Sequence, residues 1–264
     1  MIPKRSWIIL TGLAFFLILC PANASPKPWN LVGVSWYSDP SSPLVAINPT
    51  SGAASVIGLT GFNYLNSLAR DKSGNLYSAC VNQLIRINPA TGAGTVVANL
   101  NFNLTVSLDI RGLAFSPDGV LFAIQSKLDE PVWKFRYFLY RVNVATGVGT
   151  LIGSTGLEAM VSITFSSGGT LYGWDGTAGL VTINTATGLA TDVNPSQGGT
   201  LNIQSIAFGP DGNLYGACNN LYKINTSTGV WTHVGGGYND LRGLEAIPPK
   251  SPEVPAIIMI LLSD

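Results

Sequence analysis

A chain of 264 residues in which 14 Lys and Arg balance 14 Asp and Glu carries no formal net charge, and only 11% of its residues are charged. That neutrality, with no basic cluster, argues against a nucleic-acid partner, and the length suits one domain. A content of 30 Gly, with frequent Thr, Asn and Ser, favours short strands and tight turns over disorder.

In chain order, Lys4 and Arg5 precede a nearly unbroken apolar stretch from Trp7 to Cys20, and Ala22-Asn23-Ala24 supplies a cleavage pattern before Ser25. The stretch is short for a membrane span. Residues 1–24 are therefore expected to be a removed signal peptide, and the mature domain, with no membrane span, to be exported (secreted, periplasmic or at the cell surface).

From residue 31 the chain repeats. Asn-x-x-(Thr/Ser)-Gly recurs at Asn48–Gly52, Asn88–Gly92, Asn143–Gly147, Asn184–Gly188 and Asn225–Gly229, with steps of 40, 55, 41 and 41 residues between the asparagines. An apolar run precedes each motif, as in Leu84-Ile85-Arg86-Ile87, and a β-rich run such as Gly94-Thr95-Val96-Val97 follows it. Asn can bond the backbone two residues on, and Gly tolerates positive φ, so each motif reads as a hairpin turn. The other half of the unit also recurs. Gly112-Leu113-Ala114-Phe115-Ser116-Pro117-Asp118-Gly119 and Ser205-Ile206-Ala207-Phe208-Gly209-Pro210-Asp211-Gly212 each place a strand before a tight turn. Small residues at Ala69, Ala114 and Ala207 suit a crowded innermost strand.

Four strands per unit, A to D, at this period predict a β-propeller blade. The chain ends its repeats on a lone strand A, Arg242–Ile247, and begins them with a B and C that lack an A. Joining the ends makes one composite blade. The fold expected is all-β: a five-bladed β-propeller over residues 25–247, with further blades near 66–98, 111–152, 161–193 and 204–234. The 55-residue step places an insertion, Ser126 to Tyr137, in blade three, as a long loop dense in charge and aromatics.

The tail, 248–264, is a Pro-rich linker followed by the apolar run Ala256–Leu262. Pro252-Glu253-Val254-Pro255 resembles the start of a PEP-CTERM sorting tail, which leaves a truncated sorting signal and a disordered end as the two readings.

Few residues offer chemistry. Cys80 and Cys218 occupy one repeat position in blades separated by the composite blade, too far apart for a disulfide, so two free thiols are expected. His233, the sole histidine, falls in an outermost strand, where a sheet-edge role outweighs catalysis. Asp71, Asp118 and Asp211 sit in separate turns and do not converge as calcium ligands would. No metal or cofactor is expected.

The strongest candidates lie where the inner strands begin. Asp109-x-Arg111 and Asp240-x-Arg242 put acid and base on one side of a strand, either as ion pairs that stitch the inner strands or as a polar ligand site. Connections on the same face carry Trp36, Tyr37, Tyr64, Trp174 and Asp175, and the blade-three insertion adds Trp133, Phe135 and Arg136. Aromatic faces beside hydrogen-bonding edges suit a glycan or a peptide.

Taken with its Pro-Asp-Gly turns, the unit LYxINxxTG resembles exported bacterial propellers of the YVTN/NHL-like and quinoprotein-like groups, over residues 31–247. The resemblance implies the fold, and it maps no enzyme's residue set, such as that of the strictosidine synthases or gluconolactonases, onto this chain. The expected function is a non-enzymatic exported module binding a glycan, a peptide or an envelope protein. The alternatives are a lyase- or hydrolase-type enzyme using Asp109, Asp240, Arg111 and Arg242, and a structural envelope component.

Overall fold

Asn88 shows how the repeat turns the chain. Its backbone N–H donates to Ala93 O at 2.9 Å and its carbonyl accepts from Gly92 N–H at 2.8 Å, while its side-chain Oδ1 accepts from Ala90 N–H at 2.8 Å. Gly92 completes the turn at φ 78°, a conformation open to glycine without steric cost. The other four motifs repeat the pattern with Asn48, Asn143, Asn184 and Asn225 as acceptors.

The computed structural model describes residues 30–102, 109–129 and 132–247. The expected signal peptide and the C-terminal tail lie outside these residues. Among the described residues there are twenty strands and no helix, so none is long and apolar enough to cross a membrane.

The strands form five four-stranded antiparallel sheets. Blade one joins β20 (Leu241–Ile247) to β1 (Asn30–Ser35), β2 (Pro43–Ile47) and β3 (Ala54–Leu59). Blade two is β4 (Leu65–Arg70), β5 (Leu76–Cys80), β6 (Gln83–Ile87) and β7 (Gly94–Asn99). Blade three is β8 (Asp109–Phe115), β9 (Leu121–Asp129), β10 (Lys134–Val142) and β11 (Gly149–Ser154). Blade four is β12 (Met160–Phe165), β13 (Leu171–Asp175), β14 (Gly179–Ile183) and β15 (Ala190–Asp192). Blade five is β16 (Ser205–Phe208), β17 (Leu214–Ala217), β18 (Asn220–Ile224) and β19 (Trp231–Gly236).

The innermost strands meet in a closed ring, β4 against β8, β8 against β12, β12 against β16, β16 against β20 and β20 against β4. The composite blade is as expected: Leu31 pairs with Ala246 and Gly33 with Leu244, so the first and last described strands share one ladder and two sheet edges are covered.

The core is divided among the blade interfaces. One apolar cluster fills each of the five gaps; between blades two and three, for example, Leu84 packs with Leu113, Leu121 and Tyr140. Close packing at these gaps depends on backbone as well as on side chains. Outer strands β3, β7, β11 and β19 each carry a bulge, which bends a strand and sharpens its twist. Just past the bulge, Gly58 lies against Thr91 and Gly92 of the next blade's turn, Gly153 against Thr187 and Gly188, and Gly235 against Ser51 and Gly52. A Cβ on Gly92 would lie 2.6 Å from Gly58 O. The turn glycine therefore answers two demands, positive φ and contact between backbones, and only the first is legible in the sequence.

The insertion differs from expectation. It is no loop, because β9 and β10 continue as a regular ladder through Tyr137↔Ser126, Arg136↔Lys127, Phe135↔Leu128 and Lys134↔Asp129. Alternating Tyr, Arg and Phe favour the pleated conformation there. The hairpin projects from the blade as two strands.

Candidate functional site

Inner strands β8 and β20 begin at one mouth of the ring, and each brings its acid and arginine together along its own strand. Arg242 Nε donates to Asp240 Oδ1 at 3.1 Å and Oδ2 at 3.2 Å. Arg111 Nε lies 2.9 Å from Asp109 Oδ2, but its N–H is not aligned on that oxygen, so the contact is ionic rather than a hydrogen bond. Asp109 instead accepts from Ser126 Oγ at 2.6 Å. Both carboxylates are thus tied to the arginine two residues on, the arrangement expected of structural ion pairs, while their side chains remain partly exposed.

The composite blade adds aromatics. Trp36, just past β1, donates its backbone N–H to Asp240 O at 2.9 Å and accepts from Tyr64 N–H at 2.6 Å. The Trp36 ring carries the Arg242 guanidinium 4.6 Å above its centroid, a cation–π distance. Tyr64 meets the Trp36 ring edge-on at 5.5 Å and the Tyr37 ring at 5.8 Å with a 37° tilt. Tyr37 is 49% exposed and Tyr64 46%. Tyr64 (φ 60°) and Asp240 (φ 45°) hold left-handed backbone conformations, which non-glycine residues adopt only when their surroundings enforce it.

Trp133, Phe135 and Arg136 stand at the end of the β9–β10 hairpin. Trp133 is 72% exposed at φ 55°, and Arg136 pairs with Asp129 across the ladder. Lys134 reaches Glu158 before β12 at 3.0 Å. Tyr137, below them, is buried, which pushes its phenol up, with the Arg111 charge pulling the other way.

Trp174 and Asp175 lie inside the fold. Trp174 is fully buried; its indole N–H donates to Thr200 O at 3.0 Å and its ring meets Trp231 edge-on at 5.5 Å. It packs the gap between blades four and five. Asp175, also buried, caps backbone: Oδ2 accepts from Ala159 N–H at 3.0 Å, and Oδ1 from Thr177 and Ala178 N–H at 2.9 Å each. Both side chains are engaged within and between the blades and present no exposed surface.

Cys80 and Cys218 are free and buried. Burial, then the nearby Asp240 carboxylate, pushes the Cys218 thiol up to about 11, leaving little reactive thiolate at neutral pH. His233 lies exposed on outermost β19, its ring 5.7 Å from Tyr222. Asp71 and Asp211 accept bonds within their own turns, and Asp118 from Ser116. Among the described residues no group of three or more His, Cys, Asp or Glu could hold a metal ion.

No family model matches the chain, and no curated protein does. Solved structures do. A symmetrical protein from work on de novo evolutionary emergence under folding constraints is 20% identical with a TM-score of 0.54, covering 85% of this chain and 100% of that one. A chain in a nidogen–laminin complex is 11% identical with a TM-score of 0.56, covering 84% and 100%. A protein of unknown function from Bacteroides thetaiotaomicron is 15% identical with a TM-score of 0.54, and the match covers 84% of this chain and 65% of that one. At such identities the likeness is one of fold.

Proposed function

We propose that the protein is an exported, non-enzymatic binding module whose first mouth takes a glycan or a peptide. The observation that carries this reading is the cluster of Trp36, Tyr37 and Tyr64 beside the Asp240–Arg242 pair. Two half-exposed phenol rings offer apolar faces on which a sugar ring or a peptide side chain can stack. The ion pair and Asn239, whose Nδ2 donates to Tyr37 O at 3.3 Å, supply polar edges beside them. Left-handed backbone at Tyr64 and Asp240 supports the same reading, since strain of this kind gathers where a fold positions groups for a ligand. A binding role fits better than acid–base catalysis, because each carboxylate is neutralised by its own arginine and the sole histidine lies on an outermost strand.

Glycan and peptide arrays probed with the wild-type protein and with Tyr37→Ala/Tyr64→Ala test it. Hits on the wild type should weaken at least about tenfold in the double variant, the scale of losing two stacking contacts of roughly 1 kcal/mol each. Equal binding by both proteins, or no hits for the wild type, removes the proposal and leaves a structural envelope role.

Export belongs to this reading and rests on residues 1–24. Mass spectrometry of the protein made in a bacterium with a secretory pathway should give a mature chain starting at Ser25. A chain retaining Met1 there removes export from the reading.

A further inference from the structure

The inner strands end at a second mouth, on the opposite side of the ring. There a blade can carry an acid in its first turn, an aromatic on its second strand and a base on its third. Register sets Tyr77 opposite Arg86 in blade two, Phe122 opposite Arg141 in blade three and Tyr215 opposite Lys223 in blade five. In blades two and five the acid is tied down. Asp71 Oδ2 accepts from Asn75 Nδ2 at 2.7 Å and from Tyr77 Oη at 3.4 Å, and Asn75 Oδ1 in turn accepts from Arg86. Asp211 Oδ2 accepts from Asn213 Nδ2 and, at 2.9 Å, from Tyr215 Oη. Blade four has neither charge, with Gly168 in its turn and Thr182 on its third strand. In the composite blade Glu245, in the column of Ala69, Ala114, Thr164 and Ala207, accepts from Arg70 N–H at 3.2 Å and from Ala246 N–H at 2.8 Å.

Blade three differs. Phe122 lacks the hydroxyl, and Val120 stands where Asn75 and Asn213 stand in the other two blades. Asp118 therefore keeps one side-chain donor among the described residues, Ser116 Oγ. The Arg141 guanidinium lies 5.8 Å from the Phe122 ring centroid, and no acceptor among the described residues takes its hydrogen bonds. Asp118 and Arg141 do not close into an ion pair. Lys72 of blade two lies along Gly119 and adds a positive charge near Asp118, again without an ion pair. Asp118 and Arg141 both line a cavity of about 450 Å³ between blades three and four, within the range of roughly 300–1,000 Å³ usual for small-molecule sites. Its apolar lining is Phe122 and Phe165, whose rings stand 5.3 Å apart at 59°. The turn of blade four leaves room, since a Cβ on Gly168 would meet only Ser166 Oγ, at 3.8 Å, and one on Gly169 would meet nothing.

We propose that this groove binds a free apolar α-amino acid as its zwitterion, with the ammonium on Asp118, the carboxylate on Arg141 and the side chain against Phe165. Exposed charges of both signs that do not satisfy each other favour a ligand that carries both. A guanidinium also matches a carboxylate through two parallel hydrogen bonds. A neutral sugar would use the hydrogen bonds and leave the charges unanswered. The site is independent of the first mouth.

Calorimetric titration of the folded protein at pH 6 with phenylalanine, N-acetylphenylalanine and phenylalaninamide tests this, because each analogue lacks one of the two charges. Phenylalanine should bind, and each analogue should bind at least about tenfold more weakly. Asp118→Asn should lose the preference over N-acetylphenylalanine and keep that over phenylalaninamide, and Arg141→Gln should do the converse. Val120→Asn/Phe122→Tyr restores the side chains that tie the acid in blades two and five, and should weaken phenylalanine about tenfold. Tyr37→Ala/Tyr64→Ala, at the first mouth, should leave it unchanged. No phenylalanine binding by the wild type, an analogue bound as tightly, tighter binding of methyl glucoside, or loss of binding in the first-mouth variant would each overturn the assignment. The wild-type comparison of the three ligands decides the matter even if a variant folds poorly.

Discussion

Gly58→Ala is expected to destabilise the protein by about 3 kcal/mol and to lower its Tm by about 10 °C. The new methyl group would overlap Thr91 O in the neighbouring blade, and the obstacle is backbone on both sides, so no rotamer relieves it. The structure shows what relief would require. Blade two carries Ala98 at the matching bulge position, and there the contact with the next turn has moved one residue along, to Asn99 against Gly147. Gly58→Ala must drive a similar slide of β3 past a turn built for the other register. Thermal unfolding of this variant beside Gly168→Ala checks the idea. Gly168 has open space around it, with Ser166 Oγ nearest at 3.8 Å, and no positive φ, so its replacement should change stability by less than about 0.5 kcal/mol. Equal behaviour of the two variants would show that the blades are not joined as described.

Trp174→Ala should cost about 4 kcal/mol, the usual scale for emptying the site of a buried aromatic residue. The substitution also takes the indole donor away from Thr200 O and the ring away from Trp231, leaving a half-buried carbonyl without this partner and one ring without its edge contact. Trp133→Ala, at the exposed hairpin end, should lie within about 0.5 kcal/mol of wild type. Urea midpoints for the two variants separate the packing tryptophan from the exposed one. Comparable midpoints would return Trp174 to the ligand face.

That pair of tryptophans shows where sequence reading reaches and where it stops. Asn-x-x-Thr-Gly is legible because its chemistry is local: the asparagine bonds backbone two residues away and the glycine sets its own φ. The 55-residue step locates an insertion in blade three for the same reason. The lone strand Arg242–Ile247 predicts the composite blade because an unpaired edge must be covered. Trp174 and Trp36 stand alike at the ends of second strands, and what separates them is Trp231, from the far side of a blade gap. The contact between Gly58 and Thr91 is non-local too, so nothing near Gly58 announces it. Glu245 is legible as an anomaly, an acid in the column that elsewhere holds Ala69, Ala114, Thr164 and Ala207, once all five strands are aligned.

The ladder between β1 and β20 has a consequence for how the molecule is made. Of the described strands, β1 is made first and pairs early with β2, but its other partner is β20, the last made, so a growing chain passes through an arc-shaped stage with two raw flanks. Such an arc can recruit a second nascent arc through the same hydrogen-bonding groups. Whatever keeps newly made copies apart must act until Ile247 has emerged.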